Sequence, residues 1–182
     1  MIRFLLGLFT ITPFIHTAQA TELVIGEERV APGIVYIFEG AIKDHIMPAS
    51  QHLSQDNTHV HIEARANWGE TAKELPEGTP PGGFIPYLKI TAKITNENSG
   101  LISYVDLLPH INLIDNFHYA RNIALPGAVT DTYSVTFNII PPSQHDVALH
   151  KDWQDGYGEG VTSAHSFDYK NVNFEEIARA TR

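Results

Sequence analysis

The 182-residue chain contains no cysteine. It therefore has no disulfide, and no site in it can use thiolate. Zinc fingers, iron–sulfur clusters and blue-copper centres are excluded. Methionine is nearly absent too: besides the initiator there is only Met47. Basic residues are few, 12 Lys and Arg against 21 Asp and Glu. Such an acidic chain does not suit nucleic acid or anionic lipid, and it does suit cations. Long apolar runs are missing except at the start. There, "MIRFLLGLFTITPFIHTAQA" carries one charge at Arg3, an apolar run and then Ala18-Gln19-Ala20. That layout predicts a signal peptide over residues 1–20, cleaved after Ala20, and export of a soluble domain over 21–182. The apolar run is shorter than the roughly 20 residues a membrane helix needs.

What the chain has in quantity is histidine, ten in all, nine of them beyond residue 20. A metal site here is expected to use imidazole and carboxylate, with Met47 the one thioether in the mature chain.

Period-two alternation dominates the sequence. Leu88, Ile90, Ala92 and Ile94 share one face of "PYLKITAKITN", and Tyr133, Val135, Phe137 and Ile139 share one face of "TYSVTFNII". "GIVYIFEGAI", "HVHIEARA", "ISYVDLL", "HYARNIAL" and "HSFDYKNVNF" also read as strands, separated by turns such as "LPEGTPPGG", "NENSG" and "DGYGEG". Only "NFEEIARATR" offers a short helix. About seven strands with regular turns predict an all-β fold, an immunoglobulin-like antiparallel β-sandwich in a single domain.

In "NTHVHIEARANW", His59, His61 and Glu63 fall on alternate positions. Residues two apart on a strand lie about 6.6 Å apart and can share an ion, whereas His59 and Glu63 lie about 13 Å apart. The strand pair is His61 with Glu63 or His59 with His61. Zinc and copper want three or four ligands, so others must come from elsewhere. His110 and His118 stand at the two ends of an expected connection between strands, and His145 and His150 in a long loop. His45, His52 and His165 read as surface residues. Taken alone, "HVHIE" reads more readily as a solvated strand face than as a site.

The ordered segments "HIEA", "GGFIPYLKITAKITNENSG", "LLPHINLIDNFHYARNIAL", "YSVTFNI", "LHKDW" and "FDYKNVNF" resemble the periplasmic copper-binding proteins of high-affinity ferrous iron uptake, over about residues 22–174. The resemblance implies a β-sandwich homodimer in the periplasm, working with a membrane iron permease. It also implies a copper site near the dimer interface, carried onto this chain as His61, Glu63, His110, His118 and His150. His110 stands where the family has methionine, one residue further from His118 than usual. His59 stands where an aspartate is usual. Imidazole in place of thioether favours Cu(II) over Cu(I), with iron or zinc as other occupants. His59 with Asp115 is the candidate for a second, weaker cation site. Copper-linked iron redox chemistry is compatible with this reading, but no residue pattern demands turnover. The competing readings are a zinc-dependent hydrolase, with Glu63 as base, and a metal-free structural or adhesion sandwich.

Overall fold

The computed structural model describes residues 22–71, 73 and 75–181. The expected signal peptide lies outside the described residues. Eight strands form in chain order: β1 (Glu22–Val30), β2 (Ile34–Ala41), β3 (Val60–Trp68), β4 (Lys89–Asn96), β5 (Ile102–Asn112), β6 (Asn116–Ile123), β7 (Thr132–Ile140) and β8 (His165–Asn173). Among the described residues there are also a 3-10 turn at Gln55–Asn57 and two short α-helices, α1 (Lys151–Tyr157) and α2 (Glu175–Arg179).

All neighbours are antiparallel, in the order β1-β2-β3-β6-β5-β4-β7-β8. The long strand β5 makes two layers of this one sheet. Its first half, Ile102–Leu107, pairs with β4, and its second half, Leu108–Asn112, pairs with β6. The alternating apolar residues meet between the layers. Phe38 of β2 stacks on Phe137 of β7 with ring centroids 4.1 Å apart. Both rings are fully buried, and each burial contributes about 2–3 kcal/mol. The expected all-β sandwich is what forms.

The element that the alternation misses is β1. Its pairing with β2 shifts between Val24 and Gly26, a bulge that breaks period two. Gly26 is obligatory there, because the ring of Tyr169 on β8 occupies the space a Cβ would take. The Tyr169 hydroxyl donates to Glu28 Oε1 (2.9 Å), drawing β8 against β1. The late loop also holds structure: α1 presents Trp153 to Trp68, ring centroids 6.2 Å apart.

The connection expected between His110 and His118 is mostly strand. β5 continues through Pro109 to Asn112, and only residues 113–115 turn. Proline is tolerated because β4 has already ended its pairing at Leu107, so one side of β5 has no strand beside it. The Asn112 side-chain oxygen accepts from the N–H groups of Ile114 (2.8 Å) and Asp115 (2.6 Å), which closes the turn.

Candidate metal centre

One face of β3 feeds the core with Val60, Ile62, Ala64 and Ala66. The other carries His61 and Glu63, and it is not solvated: each is only 4% exposed. The cover is the segment 42–53, a strap between β2 and β3. Asn122 of β6 pins both ends of it, donating from Nδ2 to the carbonyls of Asp44 (2.8 Å) and Leu53 (3.1 Å). Arg121 adds a bond to the Gln51 carbonyl (3.2 Å). Beneath the strap lies a cavity of about 640 Å³ whose lining includes Met47, His52, His61, Glu63, His110 and His118.

Strand register brings three imidazoles together. His110 and His118 are direct cross-strand partners on β5 and β6, and His61 lies opposite Asn122 on the neighbouring pair of β3 with β6. One ring nitrogen from each of His61, His110 and His118 lies within 4.8 Å of the others. That spacing suits one ion at about 2 Å from each nitrogen.

Hydrogen bonds orient two of the rings. Asn122 uses its Nδ2 on the strap, so its Oδ1 accepts from His61 Nδ1 (2.8 Å). The Asn116 carbonyl accepts from His118 Nδ1 (3.0 Å). In both rings the Nδ1 proton leaves Nε2 as the lone-pair atom when the ring is neutral, the arrangement found around metal-bound histidines. His110 Nε2 is buried with no hydrogen-bond partner. Burial, reinforced by His61, His118 and His52, pushes the His110 pKa down to about 3, and burial lowers that of His118. Both rings are neutral at pH 7, the form that binds metal.

The acidic side of the centre is crowded. Glu63 Oε1 lies 3.6 Å from His61 Nε2. Its cross-strand neighbour is Glu39. Arg65 pairs with Glu39 (2.7 Å) and Asp115 (3.6 Å). Burial, then Asp115 and Glu39, raise the Glu63 pKa to about 8. A cation among the histidines would relieve this repulsion. The buried nitrogen of His110 and the two oriented rings fit a copper or zinc ion.

The other expected site residues lie outside the imidazole trio. His59 Nδ1 accepts from the Leu125 N–H (3.0 Å), next to the end of β6. Asp115 precedes the start of β6 and bonds to Asn112 and Arg65. They flank opposite ends of an eight-residue strand, roughly 26 Å apart at a rise of about 3.3 Å per residue. The expected second site of His59 with Asp115 is therefore not formed. His150 is exposed at the N-cap of α1 and is not among the cavity-lining residues of its own chain. The residue missed in the sequence is His52, whose ring is 5.1 Å from that of His110. The one signal for it is the density of ligand-type residues in "DHIMPASQH", which has no strand period to align them.

A two-layer β-sandwich with a buried, sulfur-poor histidine cluster defines a metal-binding protein of the β-sandwich class. The chain belongs to the Fe2+ transport protein family, which it matches over residues 19–175. It is 34% identical to the 34 kDa membrane antigen of Treponema pallidum over 139 residues, 74% of this chain. It spans only 65% of that protein's length. A UPF0423 protein of Brucella abortus is 27% identical over 160 residues, 85% of each chain. Among solved structures, copper-reconstituted P19 of Campylobacter jejuni superposes with a TM-score of 0.69 at 26% identity, covering 82% of this chain and 94% of that one. FetP of uropathogenic E. coli gives 0.67 at 25% identity, covering 83% and 95%.

Proposed function

We propose that the protein is a periplasmic copper-binding component of iron uptake. His61, His110 and His118 hold the copper, Glu63 stands beside them as carboxylate ligand or charge partner, and iron is the cargo. The observation that carries this reading is the trio of imidazoles within 4.8 Å of one another, with His110 Nε2 buried and unpartnered. Copper in the solved relative P19 and iron transport as the family's role support it. The donor set contains no thioether among the clustered residues, so Cu(II) is favoured over Cu(I). Bound copper supplies a redox-active positive charge; the chain's residues fix its position, keep two of the rings unprotonated and screen it beneath the strap.

A homodimer belongs to this proposal. The tip of the β5–β6 hairpin exposes Ile111, Leu113, Ile114 and Phe117, an apolar surface that a second copy would cover. His150, at the exposed end of α1, is then available to reach the copper of a second copy. Transfer of iron to a membrane permease completes the reading.

Isothermal titration with Cu2+, with electron paramagnetic resonance of the complex, tests the centre. One tight Cu2+ per chain with nitrogen couplings is expected, abolished in His118→Ala. Absence of tight binding by the wild type would leave the metal-free sandwich as the better account. Sedimentation tests the dimer.

A further inference from the structure

His52 lies on the strap, half-buried, outside the trio. Its ring meets that of His110 edge-on, at 5.1 Å and 78°. Its Nδ1 is buried without a hydrogen-bond partner, and so is Nε2 of His110. Two adjacent imidazoles thus each keep a covered nitrogen with no protein partner among the described residues. Such atoms destabilise a fold unless they serve a ligand. His110 also faces His61 (5.4 Å) and His118 (5.8 Å), so it stands between His52 and the inner rings.

The surroundings of His52 do not make a strong site. Two imidazoles leave a copper or zinc ion short of ligands, with water to complete its shell. Arg121 stands beside His52, its guanidinium donating to the carbonyl of the adjacent Gln51 (3.2 Å). Its positive charge opposes a cation at His52. A position that attracts a cation through buried nitrogens and also sits near a guanidinium suits brief residence. Met47 and His45 line the same cavity from the strap.

Resting on the metal centre argued above, we propose that His52 and His110 form an outer position where a divalent copper ion is first held before it passes inward. The two positions share His110, so a single ion occupies them in turn. The step is ligand exchange alone: the bond to His52 breaks as bonds to His61 and His118 form, with no change in oxidation state. The strap is then the loading element of the centre, and His110 is the residue common to both positions.

Stopped-flow mixing of the purified protein with glycine-buffered Cu2+, read by fluorescence quenching, tests this. The expected result is a concentration-dependent phase followed by a concentration-independent one. His52→Ala is expected to slow association at least tenfold and dissociation to match, leaving the equilibrium Kd within threefold. His52→Gln, which keeps the side chain's polarity, should behave alike, and thermal melting checks that both variants fold. An unchanged association rate overturns the proposal. So does a loss of equilibrium affinity as large as that of His118→Ala, which would make His52 a ligand of the inner ion. If the wild type binds no Cu2+ tightly, the metal centre itself fails. If it binds and His118→Ala does not, only the loading step is in question.

Discussion

Val60, Ile62, Ala64 and Ala66 on one face of β3 and His61 and Glu63 on the other are almost equally hidden from water, at 0% against 4% exposure. Burial therefore does not distinguish the two faces. The first is complete in itself, since apolar side chains packed between the layers need no further partner. The second is incomplete. It gathers neutral imidazoles, a carboxyl pushed up in pKa and a ring nitrogen without a partner among the described residues, under the strap. A buried polar surface with unmet bonding capacity points to a ligand more strongly than the residue types do.

The sharpest way to separate the faces is to damage one at a time. Ile62→Ala should cost about 2–5 kcal/mol of stability by leaving a cavity. Chemical denaturation will read that loss, while the folded fraction keeps its Cu2+ affinity. His61→Ala should do the opposite, weakening Cu2+ binding by more than about 100-fold, beyond the usual loss from an indirect partner. Its metal-free melting temperature should stay close to wild type. Asn122→Ala should fall between them, with about 10- to 100-fold weaker Cu2+ binding. Because Asn122 also holds the strap, amide hydrogen exchange should accelerate across residues 44–53.

The subtlest test is pH. Burial raises the Glu63 pKa from 4.5 to about 8, so the folded chain keeps a proton that the unfolded chain has lost. Its contribution to stability therefore falls as pH rises from about 4.5 to 8. Glu63→Gln should melt close to wild type at pH 4.5 and progressively above it toward pH 8, in metal-free protein. His110 acts in the opposite direction. With its pKa lowered from 6.5 to about 3, its contribution is complete above pH 6.5 and declines as pH falls toward 3.

Much of this was legible in the sequence, because strand period reports directly on faces. "TYSVTFNII" and "PYLKITAKITN" became β7 and β4 with the expected residues inward. His61, Glu63, His110 and His118 lie at one cavity. What stayed hidden depends on contacts between distant segments. Nothing in "HVHIE" tells that residues 42–53 will cover it. His52 has no period to align it with His110. The strand β1 escaped because its bulge at Gly26 answers to Tyr169, far along the chain. The eight-residue strand β6, not a short connection, separates His59 from Asp115, so only Asp115 stays beside the acidic side of the centre.

The pairing of His110 with His118 has a consequence for lineage. Since the two rings are set by strand register, the number of residues between them is free to change at the tip, where residues 113–115 turn and Leu113 is wholly exposed. An added residue there lengthens the turn and leaves the ligand geometry alone. The same addition two positions earlier would swing every following side chain to the other face. Relatives can thus differ in the spacing of these two positions and still keep one centre, and a search that demands a fixed interval would overlook members of the family.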